Sequence, residues 1–99
     1  ARELAREFVL EPKAGECVLA AGESTVTVGV PGKGGRNLEL ALAALAYLGP
    51  DHVLLACDSD GYDNTDFAGA LVDASTRARA VHMNMNPLVY LNTHASYSF

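Results

Sequence analysis

The 99-residue sequence predicts an α/β domain in which helices are layered on a small, mixed β-sheet. Three observations carry that prediction. Segments with helical and strand patterning follow one another along the chain, which is the pattern of layered α/β structure. The apolar fraction is 49%, and sixteen Ala and thirteen Leu supply the bulk of it, favouring close-packed helices over an aromatic β core. The length suits one domain, since domains cluster at about 100–150 residues. With only 19% charged residues, the chain can bury enough apolar surface to offset the entropy of ordering, so disorder is excluded.

Residues 1–10 set Leu4, Phe8 and Val9 at helical spacing among Arg2, Glu3, Arg6 and Glu7. Glu11-Pro12-Lys13-Ala14-Gly15 ends that helix. Residues 1–15 therefore read as a leading helix and linker, and residues 16–99 as the α/β domain. A chain that opens on Ala1, within a helix, is expected to be a fragment. Residues 17–21 are a short apolar run, and 25–30 alternate Thr and Val at first. Joined by Gly22-Glu23-Ser24, they predict a hairpin of two strands. Pro31-Gly32-Lys33-Gly34-Gly35 can only be a loop. From Arg36 or Asn37 to Leu48 runs a helix of good formers, stopped by Gly49 and Pro50. It is apolar on nearly every face and must be covered on several sides.

Val53, Leu54, Leu55, Ala56 and Cys57 form a continuous apolar run, the pattern of a strand buried on both faces. An acidic loop follows over residues 58–66, and residues 67–72 lead out of it. Ser75 is placed to cap a helix reaching about Met83, and Asn86-Pro87 begins a final short helix.

Charge limits the classes of partner. Seven basic against twelve acidic residues give a net charge of −5, a poor general surface for nucleic acid, whose affinity comes largely from neutralised phosphates. No segment reaches the roughly 18 continuous apolar residues of a membrane span. Cys17 and Cys57 are far apart and form no CxxC pair. They read as small core side chains in a reducing compartment, so a cytoplasmic protein is expected.

Two loops carry candidate chemistry. Gly32-Lys33-Gly34-Gly35-Arg36-Asn37 holds two of the seven cations and three glycines between a predicted strand and a helix. Glycines let backbone N–H groups turn toward an anion, and a helix start adds partial positive charge. Lys33 and Arg36 add a mobile and a forked donor for phosphate oxygens. The loop is neither a Walker A motif, because Gly34 follows the lysine, nor a GxGxxG fingerprint, because Asn37 stands at the last glycine. A surface loop with two solvated cations is the plain alternative.

The second loop, Asp58-Ser59-Asp60-Gly61-Tyr62-Asp63-Asn64-Thr65-Asp66, sets four carboxylates directly after the buried strand. Carboxylates so crowded repel unless a cation sits among them. Magnesium, which takes one or two carboxylates together with substrate phosphates, suits the loop better than a full cage. The competing reading is turn and helix-capping work by Asp63, Asn64, Thr65 and Asp66. His52, His82 and His94 have no ligand spacing and read as structural or surface residues, Met83 and Met85 as packing. Carboxylates beside Cys57 disfavour a thiolate there.

These runs together resemble a known family. Gly22-Glu23-Ser24-Thr25-Val26-Thr27-Val28, then Gly32-Lys33-Gly34-Gly35-Arg36-Asn37-Leu38-Glu39-Leu40-Ala41-Leu42-Ala43, then Ser59-Asp60-Gly61-Tyr62-Asp63 and Thr65-Asp66-Phe67-Ala68-Gly69-Ala70-Leu71-Val72-Asp73 are similar to successive blocks of the MOFRL domain. That is the C-terminal domain of the class II glycerate kinases, a family of glycerate 2-kinases also labelled hydroxypyruvate reductase. Tyr90-Leu91 and Ser96-Tyr97-Ser98-Phe99 resemble its later blocks. The resemblance covers about residues 16–99. Departures fall at Asp58, where the family has Gly, at Asn64, in place of Gly-Pro, and at Ala95, in place of Asp.

The resemblance implies an ATP- and magnesium-dependent kinase acting on the 2-hydroxyl of D-glycerate, its active site closed by a larger N-terminal domain. It implies Arg36, Asp60 and Lys33 as catalytic residues. Gly34, Gly35, Asn37, Ser59, Asp63 and Asp66 would bind phosphate or substrate, and Asp60 and Asp58 would hold the metal. Glycerate and the N-terminal domain are the implied partners, without nucleic acid or membrane; a homodimer is compatible with it. A non-catalytic binding or assembly module of the same fold is the alternative. The reductase label is the third, though no Rossmann fingerprint stands in these residues.

Overall fold

The computed structural model describes residues 1–27 and 32–99. Its elements are α1 (Arg2–Leu10), α2 (Arg36–Ala44), β1 (Val53–Cys57), β2 (Gly69–Asp73), α3 (Ala74–His82), α4 (Pro87–Asn92) and a closing 3₁₀ turn (Ser96–Ser98). The α/β layering expected from the sequence is present. The sheet of the described residues consists of β1 and β2 alone, paired antiparallel, with Val53 opposite Asp73 and Cys57 opposite Gly69. No parallel pair stands among the described residues, so the expected mixed sheet is not formed by them.

Helix α2 is the centre of the molecule. Every residue from Leu38 to Leu45 is buried, because α1, α4 and both strands pack around it. This answers why so apolar a helix is tolerated: it is covered within this chain. Beyond Ala44 the chain tightens, with the Tyr47 N–H donating to the Ala44 carbonyl at 2.9 Å in i→i+3 fashion. The predicted helix to Leu48 therefore ends as an α-helix one turn earlier, as helix ends often do. Past that turn, the His52 Nδ1 accepts from the Gly49 N–H at 2.9 Å.

Three predictions are corrected. Residues 17–21 form no strand and are exposed, with Leu19 at 96%. The predicted partner strand has no strand geometry at 25–27, and its remainder, like Pro31, lies outside the described residues. Residues 17–21 pair with no strand among the described residues, and an apolar run alone does not hold extended structure. Second, β1 is buried on one face only. Leu54 and Ala56 point to α2, while Val53 and Leu55 are 65% and 64% exposed. Third, Cys17 and Cys57 are exposed and free rather than core residues, Cys57 because strand alternation puts it on the face of Val53 and Leu55.

The α3 cap also shifts. Asp73, not Ser75, is the N-cap, accepting from the Thr76 N–H at 2.9 Å and from the Ser75 hydroxyl at 2.7 Å. Thr76 Oγ1 accepts from the Asp73 N–H in return, completing a capping box. These donors hold the Asp73 carboxyl below the usual carboxylate range. A carboxyl with a depressed folded pKa adds stability above its unfolded pKa and loses it as pH falls through the folded one. Asp73→Ala is therefore expected to lower the melting temperature at pH 7, with the difference shrinking on acidification below pH 4. Melts across pH check it; a pH-independent difference would show that charge plays no part. Asn86 caps α4 as predicted, accepting from the Leu88 N–H at 3.0 Å ahead of Pro87.

Candidate functional site

The acidic loop is the connection between β1 and β2. Its base is closed by the Asp58 N–H donating to the Ala68 carbonyl and the Asp63 N–H to the Phe67 carbonyl, each at 2.8 Å. Gly61 and Asn64 take positive φ values of 88° and 55°, which glycine adopts freely and asparagine readily. Asp60 turns its carboxylate onto its own loop, Oδ1 accepting from the Tyr62 N–H at 3.0 Å. Ser59 and Asp60 are exposed.

The loop then reaches α2. Asp63 is only 1% exposed, and its carboxylate accepts from the Asn37 N–H at 3.0 Å, the Leu38 N–H at 2.6 Å and the Asn37 amide at 3.4 Å. Gly35, the N-cap residue, has no side chain to do this, so Asp63 caps α2 from the other loop. The expected capping work by Asp63 is real, but its helix lies earlier in the chain. The first-turn amides of Asn37 and Leu38 and the positive end of the dipole already serve a carboxylate of the chain itself. Those two amides are therefore not open to an external anion.

The glycines answer to the same crowding. A Cβ on Gly35 would lie 1.8 Å from the Asp63 carbonyl oxygen, one on Gly34 2.2 Å from Ser96 Oγ, and one on Gly32 2.3 Å from the carbonyls of Thr93 and His94. Close approach of neighbouring backbone thus requires glycine at 32 and 35, whatever the loop binds, while at 34 the Ser96 hydroxyl would have to turn aside. Asn64 adds a further tie, its amide donating to the Gly34 carbonyl at 3.3 Å.

The two cations diverge. Arg36, first residue of α2, pairs through Nη1 with Glu23 Oε1, with the Ser24 carbonyl 3.5 Å away. The Glu23 carboxylate, with Asp58 and Asp63 nearby, raises the guanidinium pKa above its ordinary value. Lys33 instead lies with Nζ 3.6 Å from the centre of the Tyr97 ring. The hydroxyl of Tyr97, together with the Lys33 charge, lowers the Asp66 pKa. Gly34, Gly35, Arg36, Asn64, Glu39, His94 and Ser96 line one open cleft of about 370 Å³. Asp58 faces Arg36 electrostatically, whereas Asp60 keeps to its own turn. Sequence reasoning missed Glu23, Ser96 and Tyr97 as partners of these loops, and the only available signal was their place in the recurrent blocks.

A family model, MOFRL family, matches residues 16–99. The chain belongs to the MOFRL family. Among the MOFRL chain's relatives, glycerate kinase of Rattus norvegicus is 39% identical, with 98% of this chain covered, and D-glycerate 2-kinase of Thermotoga maritima is 43% identical, with 82% covered. This chain spans 20% of the length of each. The crystal structure of glycerate kinase from Thermotoga maritima superposes with a TM-score of 0.79 at 36% identity, covering 98% of this chain and 25% of that one. Among the described residues, no helix is long and apolar enough to cross a membrane.

Proposed function

We propose that this chain forms one wall of an interdomain active site in an ATP-dependent glycerate 2-kinase, which transfers the γ-phosphoryl group of ATP to the 2-hydroxyl of D-glycerate. The observation that carries it is the joining of the glycine-basic loop to the acidic loop through Asp63, which fixes Arg36 at the rim of an open cleft. Phosphoryl transfer asks a protein mainly for positioning and for cations against developing charge. Arg36 supplies a planar fork for two phosphate oxygens, and release from Glu23 frees it for them. Lys33, held over an aromatic ring, is a second donor to phosphate or to the glycerate carboxylate. Asn37 and Asp63 support the loop, Gly34 and Gly35 let it pass close to its neighbours, and Ser59 and Asp66 flank the acidic turn. In this reading the larger N-terminal domain supplies the facing wall.

Magnesium fits only in part. Among the described residues no three His, Cys, Asp or Glu side chains are grouped to hold a metal. A hard cation shared between nucleotide phosphates and one carboxylate suits what is present, with Asp58 or Asp60 as that carboxylate. When bound, it would neutralise phosphate charge. Asp60→Asn is expected to raise the magnesium concentration needed for half-maximal activity by about tenfold, in line with loss of one charged ligand. An unchanged magnesium titration would leave Asp60 as a turn residue.

The deciding experiment is a coupled assay of ADP release by a protein of the relatives' full length that carries this chain, tested across small hydroxy acids. Glycerate should be the preferred acceptor. The 99-residue chain alone should show no turnover, and equal turnover by it would refute the shared site.

A further inference from the structure

Glu39 is the charged residue inside the buried run of α2, with its side chain 7% exposed. Both its oxygens are held: Oε1 accepts from Arg2 Nε of α1 at 3.2 Å, and Oε2 lies 3.1 Å from His94 Nδ1. A carboxylate can only accept, so Nδ1 carries the proton. Arg2 also donates through Nη2 to the Leu91 carbonyl at 2.6 Å, tying α1 to the end of α4. Buried charge is tolerated only when paired and hydrogen-bonded, and Glu39 meets that condition.

This network reaches the glycine loop through the segment that carries His94. The carbonyls of Thr93 and His94 press on Gly32, where a Cβ would lie 2.3 Å away. The Tyr97 N–H donates to the Lys33 carbonyl at 3.1 Å, and Ser96 Oγ sits against Gly34. Residues 93–97 are thus the floor on which residues 32–34 rest. His94 holds a left-handed backbone, φ 50°, a conformation that glycine and asparagine take more easily. Its side chain, 12% exposed, lines the same cleft as Arg36.

We propose that His94, anchored by Glu39, is a positioning residue of the glycine-basic loop: it fixes the floor that holds Gly32, Lys33 and Gly34 in the anion-receiving arrangement. The inference rests on the reading of that loop as the phosphate site. It predicts an effect on anion binding rather than on the chemical step, because His94 acts through the loop.

The backbone conformation allows a clean test in the full-length protein. His94→Gly removes the ring while suiting the left-handed φ, so it relieves backbone cost. His94→Asn also suits that φ and places an amide atom where Nδ1 stands, so it can keep the bond to Glu39. His94→Gly is expected to raise the ATP KM and the Kd for inorganic phosphate about tenfold, the affinity that one well-placed hydrogen bond supplies. Its kcat should stay within about twofold, and His94→Asn should restore most of the affinity. Unchanged affinity in His94→Gly, or a His94→Asn variant as weak as His94→Gly, overturns the proposal. If His94→Gly does not fold, His94→Gln replaces it, since its amide lies beyond the Nδ1 position. Equal affinities for His94→Asn and His94→Gln would then overturn it. Arg36→Ala run alongside separates the two readings. Weakened phosphate binding there with none in His94→Gly sinks this inference alone, and no effect in either sinks the phosphate reading itself.

Discussion

Asp63→Ala is expected to destabilise the fold by about 2–4 kcal/mol, the cost of leaving one buried N–H unpaired at ~1–3 kcal/mol and a part-buried one at the low end of that range. The donors are the first-turn amides of Asn37 and Leu38, at 3.0 and 2.6 Å. Domains have roughly 5–15 kcal/mol of stability in all, so the loss is a large fraction of it. Asp63→Asn should fall between the two, because one amide oxygen can still accept while its NH₂ faces a donor. Gly35→Ala should resemble Asp63→Ala, since its Cβ would displace the Asp63 backbone and carboxylate from 1.8 and 2.3 Å. Denaturant unfolding measures all three. A change below about 0.5 kcal/mol in Asp63→Ala, the size of an ordinary surface substitution, would mean that another group caps α2.

Much of this fold is written in local sequence. The α1 spacing, the Arg36 start of α2, the run of β1 and the Asn86-Pro87 cap all lie where their own residues put them. What local patterning does not contain is who covers what. The residues of β1 read as a strand covered on two faces, yet α2 covers one, and Val53, Leu55 and Leu71 form an outer apolar face. Residues 17–21 read as a strand by composition alone, but strand structure depends on a partner. Ser75 lost the cap to Asp73 because β2 delivers the aspartate directly into the first turn of α3.

The candidate site was legible as two loops and not as one. Glycines and cations in the first, and carboxylates in the second, announce themselves by type and spacing. That Asp63 in one caps the helix that begins in the other is a contact across 26 residues, and no periodicity encodes it. The same holds for Glu39 and His94, which are 55 residues apart. Glu39 is a charge within an otherwise apolar run, and its partners come from the two ends of the chain. Asp63 shows the distinction best. Its residue type fitted a ligand and a cap equally, and burial to 1% exposure assigns it the cap.

Arg36→Ala should therefore do the opposite of Asp63→Ala. In the full-length protein it is expected to lower kcat about 10³-fold, at the lower end of what a transition-state arginine contributes, while the melting temperature hardly moves. The reason lies in exposure. The Arg36 side chain is 41% exposed and its partner Glu23 76%, and ion pairs in such surroundings add little to stability. Arg36→Lys keeps the charge but loses the planar fork, so it should recover only part of the rate. Steady-state kinetics beside thermal melts read both effects. Retained kcat in Arg36→Ala would remove Arg36 from the phosphoryl group. A large fall in melting temperature with it would move Arg36 into the fold, as the residue that ties Glu23 and Ser24 to the start of α2. Paired with the Asp63 series, the two results divide the joined loops into the group that builds the site and the group that acts in it.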